Sequence, residues 1–273
     1  MKLGIGDIRK QIIMILKKEN FINLNESELD EAIYRIFPIE RAVQLFENKE
    51  LVMPTIKAWE DVYENFFLKS NFSEGDEVFS IEEDEGNFCF GQCWSFIEDS
   101  DAMWRIYSHD KQSVRIKTTL RKLLNCLNSS CSMQVGLNYV FDASVYIGKV
   151  EYRAIEQIEE WASNQKVCKN NIQKSVVESL CVKRDSFKHE EEARILYFTD
   201  DSDSKIIKKT PNHLIGFQIN PMELIDEIAF DPRAEQSFYN AYKNHLATEF
   251  SFPKSRIVKS NLYDFTPLTF IIN

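Results

Sequence analysis

The chain has 273 residues, 44% hydrophobic and 28% charged, an ordinary balance for a globular protein with room for one large domain or two small ones. Its formal net charge of −10 excludes broad adhesion to nucleic acid or to an anionic membrane surface, since both rest on excess Lys and Arg. No window approaches roughly eighteen consecutive apolar residues, so no membrane span is expected.

Residues 1–20 interleave Ile5, Ile8, Ile12, Ile13 and Leu16 with Asp7, Arg9, Lys10, Lys17 and Lys18, a pattern that predicts an amphipathic helix and not a signal peptide. Residues 1–33 therefore read as an N-terminal helical extension. Residues 34–273 read as one α+β domain, a single mixed sheet flanked by helices. Tyr34 to Phe37 is a short strand containing Arg35, and Pro38 opens a helix over 39–48. An apolar stretch at 51–54 and an aromatic helix from Trp59 to Phe67 follow.

Residues 73–87 are acidic and contain Gly75 and Gly86, which predicts a mobile surface loop. The run from Phe88 to Phe96 is apolar on both faces and reads as a central strand carrying Ser95. Acidic residues at 98–101 cap a helix with Met103, Trp104 and Tyr107. Ser113 to Thr118 alternates as a strand with one wet face, and Leu120 to Leu127 is helical before a polar turn over 128–132. Two strands between 138 and 152, then helices over 155–161 and 172–182, lead to Phe187–Phe198. This last stretch begins charged and ends apolar, so it predicts a buried strand with Glu190, Glu192 and Arg194 sharing one face at its mouth. Three charges so placed must be paired or used. Further elements are a loop over 200–205, a strand at 214–219, helices at 223–228 and 237–250, and a last strand at 256–260.

The six cysteines form no C-x-x-C pair followed by a second one or by paired histidines, and they read as buried thiols of a reducing cytoplasm. The four histidines are scattered, so no metal site is expected. Phosphate-loop, dinucleotide-fold and nucleophile-elbow glycine motifs are absent. The basic residues Lys183, Arg184 and Lys188 stand beside the glutamates, where they could meet a phosphate.

Tyr34-Arg35, Trp59-Glu60-Asp61-x-Tyr63-Glu64, Cys93-Trp94-Ser95 with Met103-Trp104-x-x-Tyr107, Lys149-Val150-x-Tyr152, and Lys183-Arg184-x-x-Phe187-x-x-Glu190-x-Glu192-x-Arg194 stand in an order that resembles the bacterial domain of unknown function 2971. The resemblance runs from about Tyr34 to about Tyr263 and implies a shared fold, with a bacterial conflict or phage-defence setting as background. More loosely, Arg35, Ser95 and Glu190-x-Glu192 resemble the strand arginine, strand serine and Glu-x-Glu of arginine-serine-glutamate ADP-ribosyltransferases.

That second resemblance implies NAD as cosubstrate, no metal, and a macromolecular or nucleotide acceptor. Arg35 would hold the diphosphate, Ser95 would orient a ribose, and Trp104 or Tyr107 would stack on nicotinamide. Glu192 would stabilise oxocarbenium-like charge while Glu190 polarises the acceptor. Lys183, Arg184 and Arg194 are candidate substrate or phosphate contacts. The alternative is a non-catalytic binding or regulatory module, paired with a defence-system partner, in which Arg35, Glu190, Glu192 and Arg194 form a structural charge network.

Overall fold

The computed structural model describes residues 20–61, 63–80, 89–132, 144–165, 167, 172–198 and 214–271. In chain order the elements are β1 (Phe21–Ile22), β2 (Ala32–Pro38), α1 (Ile39–Asn48), β3 (Glu50–Pro54), β4 (Asn71–Glu74), β5 (Glu77–Ser80), β6 (Cys89–Ser95), α2 (Asp101–Tyr107), β7 (Ser113–Thr119) and α3 (Leu120–Ser132). They continue with β8 (Ser144–Lys149), β9 (Glu151–Arg153), α4 (Ile155–Asn164), α5 (Ile172–Leu180), β10 (Val182–Arg184), β11 (Glu192–Phe198), β12 (Leu214–Gln218), α6 (Pro221–Leu224), β13 (Glu227–Phe230), α7 (Gln236–Glu249) and β14 (Ile257–Lys259).

Eight strands form one mixed sheet in the order β1-β8-β11-β6-β2-β7-β13-β14. The sheet consists of two four-stranded halves. Strands β11 and β6 pair along seven residues each, from Glu192↔Ser95 to Phe198↔Cys89, and β2 and β7 pair from Ala32↔Thr119 to Pro38↔Ser113. Between the halves, β2 and β6 meet only at Tyr34↔Ser95. Beyond that bridge neither strand supplies the other's ladder bonds, so the sheet is split along this seam.

One face of the sheet is filled by Ile33, Trp94, Ile116 and Ile195 with Ile39, Ala42 and Phe46 of α1 and Met53 and Phe217 of the β3–β12 pair. The helical spacing of Ile39, Ala42 and Phe46 gives α1 its apolar stripe, and Lys49 closes it in the left-handed region at φ 52°. The opposite face carries a second cluster, with Cys89 and Leu196 against Ile56, Val177 and Leu180.

The α+β expectation is met by this mixed sheet with flanking helices. Several local expectations are corrected. Residues 59–67 do not form an α-helix: the Asp61 carboxylate accepts from the Tyr63 amide, and the Asn65 side chain donates to the Ile56 carbonyl, so side chains take the backbone's place. The stretch expected as an acidic loop from 73 begins as the β4–β5 hairpin, turned by Gly75 at φ 63°, while residues 81–88 lie outside the described ones. The wet face expected for β7 is covered, because buried Arg115 pairs with Glu227 at 3.1 Å. Helix α3 runs on through the expected turn at 128–132, a stretch with no Gly or Pro to stop it. The helix expected at 223–228 is instead α6 followed by β13. The helix expected over 1–20 falls, up to residue 19, outside the described residues, and Phe21 and Ile22 pair with Ile147 and Gly148 of β8. The loop expected at 200–205 also lies outside them.

Candidate functional site

The stretch from Asp185 to Phe198 is two elements and not one strand. Asp185–Glu190 is a 3-10 turn, Glu191 stands in the left-handed region at φ 40°, and β11 starts at Glu192. The expectation that Glu190, Glu192 and Arg194 share a strand face therefore holds for Glu192 and Arg194 only. Glu190 reaches the same place from the turn.

There it meets a buried charge network. Lys183 Nζ on β10 lies 2.6 Å from Glu190 Oε2, 2.5 Å from Glu192 Oε1 and 3.1 Å from Glu64 Oε1. Arg194, fully buried, donates from Nε to Glu192 Oε2 at 2.8 Å, from one terminal nitrogen to Glu64 Oε1 at 2.7 Å, and from the other to the Leu180 carbonyl at 2.7 Å. Its guanidinium also lies 4.5 Å from the centre of the Trp59 ring. Three carboxylates thus surround two cations. Tyr107 donates its hydroxyl to Glu190 Oε1 at 2.9 Å, and the Tyr152 hydroxyl accepts from the Glu192 amide at 2.9 Å.

The electrostatics separate the two strand-mouth glutamates. Burial, then the hydrogen bond and charge of Glu192, push Glu190 up to about 7. Burial also acts on Glu192, but Arg194, Glu190 and Lys183 outweigh it and hold its carboxyl well below the usual range. Burial opposes charge on Lys183 too, and the carboxylates around it win, so its pKa is raised. The excess of carboxylate thus falls on Glu190, which holds a proton more tightly than an ordinary glutamate does.

Ser95, opposite both Glu192 and Tyr34, donates its hydroxyl to the Glu190 carbonyl at 2.6 Å and accepts from the Ile97 amide at 3.0 Å. It is a backbone clamp on the turn that carries Glu190. Arg35 lies on β2 next to the seam. It is half-buried and, among the described residues, its side chain makes no hydrogen bond, ion pair or ring contact. Burial lowers its pKa, and the Cys93 thiol and Tyr107 hydroxyl are its electrostatic neighbours. Arg35, Ser95, Tyr107, Lys183, Glu190, Glu192 and Arg194 are therefore gathered around one end of the seam.

Two sequence-predicted residues stand apart. Trp104 is fully buried and its indole N–H is held by Asp99, so it packs beneath α2, whereas Tyr107 on the same helix has 43% of its surface exposed. Arg184 is bound to Asp61 at 2.6 Å and lies over the Tyr63 ring at 4.7 Å, and it pairs with neither Glu190 nor Glu192. Sequence reasoning misses Glu64 and Tyr152 as members of the network. Both stand within the motifs quoted above, but neither follows from strand or helix periodicity, which cannot say that a loop carboxylate turns inward. A cavity of about 830 Å³ bordered by Phe21, Glu151, Arg153, Trp161, Lys174 and Glu178 touches none of Arg35, Ser95, Glu190 or Glu192. Among the described residues, no group of His, Cys, Asp and Glu is arranged to hold a metal ion, and no helix is long and apolar enough to cross a membrane.

Residues 103–195 match the model of a family described as a protein of unknown function (DUF2971), a span that holds Trp104, Tyr107, Tyr152, Lys183, Glu190, Glu192 and Arg194. No curated protein matches the chain. Among solved structures, the chain is similar to Thermus sp. 2.9 DarT in complex with NAD+, at 11% identity over 85% of this chain and 96% of that one, with a TM-score of 0.36. The same protein in complex with carba-NAD+ aligns at 10% identity over 86% and 96%, TM-score 0.36. Its complex with ADP-ribosylated ssDNA aligns at 11% identity over 85% and 94%, TM-score 0.37.

Proposed function

We propose that this protein is an ADP-ribosyltransferase-like enzyme that consumes NAD at the seam between the two half-sheets. The observation that carries this reading is Arg35, a half-buried guanidinium with no anionic partner among the described residues, whose electrostatic neighbour Tyr107 donates its hydroxyl to Glu190. A cation held out of water without a partner is unfavourable unless an anion arrives, and a guanidinium fork suits a diphosphate. The bound NAD supplies a glycosidic bond already weakened by the positive charge on nicotinamide. In the transfer, the ribose C1′–N bond breaks and its electron pair leaves with neutral nicotinamide. The acceptor's bond to C1′ forms and the acceptor's proton passes to a carboxylate. A glutamate carboxylate also stabilises the charge developing on the ribose, and the half-exposed Tyr107 ring offers a surface for nicotinamide.

The acceptor is a macromolecule or nucleotide, and the net charge of −10 would confine any nucleic acid to a local contact. The free thiols of Cys89, Cys93, Cys126 and Cys181 are in keeping with a reducing cytoplasm, and the setting we propose is bacterial conflict or phage defence. A second reading is favoured by one observation: both oxygens of Glu192 are taken by Lys183 and Arg194 in a buried cluster, as a structural network of a non-catalytic module requires. The two readings separate in one experiment. Purified protein with labelled NAD and cell lysate is expected to release nicotinamide and label an acceptor, and Arg35→Ala is expected to abolish this while leaving the melting temperature unchanged. No turnover by the parent protein would favour the structural module, and turnover indifferent to Arg35 would keep the enzyme but reject Arg35 as the holder of the diphosphate.

A further inference from the structure

The two glutamates are held in unequal ways. Glu192 has a cation on each oxygen, Lys183 at 2.5 Å and Arg194 at 2.8 Å, and Arg194 is wholly buried. Turning Glu192 toward a substrate would strip a buried guanidinium of one of its two carboxylates, a strongly unfavourable exchange. Among the described residues, Glu190 has a cation on Oε2 only. Its Oε1 is held by the Tyr107 hydroxyl, a neutral donor on a ring that is 43% exposed, at the last residue of a short helix. An incoming hydroxyl that displaced it would make the same kind of bond to the same oxygen, with no ion pair broken.

We propose that Glu190, and not Glu192, is the carboxylate that meets the substrate, and that the Tyr107 hydroxyl occupies in advance the place a substrate hydroxyl takes on Glu190 Oε1. Glu192, with Lys183, Arg194 and Glu64, is then a positioning group that fixes where Glu190 sits. The assignment rests on the NAD-consuming reading, in which the incoming hydroxyl belongs to the ribose next to nicotinamide.

The test uses the full chain, glutamate labelled with ¹³C at the carboxyl carbon, and carba-NAD+, which cannot be cleaved at the nicotinamide bond. Single Glu190→Gln and Glu192→Gln variants assign the two resonances, and calorimetry measures binding. Binding with a shift of the Glu190 resonance and none at Glu192 supports the assignment. Binding that moves Glu192 and not Glu190 overturns it while leaving the NAD reading intact. No binding by the parent protein overturns the NAD reading, and the assignment with it. Tyr107→Phe keeps the ring and removes the competing hydroxyl, so it is expected to bind the analogue about tenfold more tightly. Unchanged or weaker binding by that variant would show that the hydroxyl is not a stand-in. It also covers the case in which Glu192→Gln fails to fold.

Discussion

Tyr34 and Ser95 face each other across the only residue pair that joins β2 to β6, and the same Ser95 clamps the turn that presents Glu190. The junction of the half-sheets and the placement of the candidate carboxylate are thereby one piece of structure. Ser95→Ala removes a hydrogen bond to the Glu190 carbonyl and one from the Ile97 amide, leaving two backbone groups without those partners. The expected cost is about 1–3 kcal/mol, read as a lower denaturation midpoint. An unchanged midpoint would show that neither bond contributes.

Arg194→Lys keeps the charge but loses the fork that reaches Glu192, Glu64 and the Leu180 carbonyl together. Arg194→Met removes the charge as well and leaves the carboxylates one cation short. Urea titration is expected to show a loss of about 3–5 kcal/mol for Met and a smaller one for Lys. Equal losses would mean that the guanidinium fork and its place over Trp59 matter and the net charge does not.

The pH dependence of stability follows from the two opposite shifts. Glu190 is raised from an ordinary 4.5 to about 7, so the native protein keeps a proton that the unfolded chain gives up. That contribution is fully present below pH 4.5 and is lost as pH rises through about 7. Across the window the slope contributed approaches about 1.4 kcal/mol per pH unit. Glu192, held low, works in the other sense: its contribution is present above the ordinary carboxylate range and is lost as pH falls through its depressed folded value. Glu190→Gln should flatten the fall between pH 4.5 and 7 and leave the acid limb in place. Denaturant midpoints measured across that range decide it, and a slope unchanged in the variant would reject the upward shift of Glu190.

Gly148 on β8 packs directly against Cys181, with no room for a methyl group between its backbone and the sulfur. Gly148→Ala is expected to destabilise by a few kcal/mol, on the order of an overpacked core. Cys181→Ala removes the obstructing Sγ, so the double variant should be more stable than Gly148→Ala alone, a coupling that thermal melts of the four proteins would reveal. Strict additivity would count against the contact.

The sheet is legible in the sequence where one pattern decides it. The stretch of β6, apolar on both faces, marks a strand between two neighbours, and it is found between β11 and β2. Arg35, Ser95, Glu190 and Glu192 stand out by type and order, and they are gathered at the seam. What the sequence does not convey is partnership. Lys183 and Arg194 read as cations for a substrate, yet their nitrogens are spent on carboxylates of the same chain, one of them on a loop more than a hundred residues earlier in sequence. Trp104 and Tyr107 look equivalent at helical spacing, and only the turn of α2 decides that one is buried and the other exposed. The split between β2 and β6 leaves no mark on either strand, because a ladder that stops after one pair changes no side chain's polarity.

Glu191 gives the two glutamates a relation that no extended strand could. On a regular strand, residues two apart are parallel neighbours separated by about 7 Å, each addressing its own partner. With Glu191 at φ 40°, the chain changes direction between them, and Glu190 and Glu192 close on a single ammonium from two sides like the jaws of a vice. The glutamate spacing in this chain is thus a specification for a bend. A residue inserted or removed at 191 would leave the composition of the site intact and take away the common point on which both acids converge.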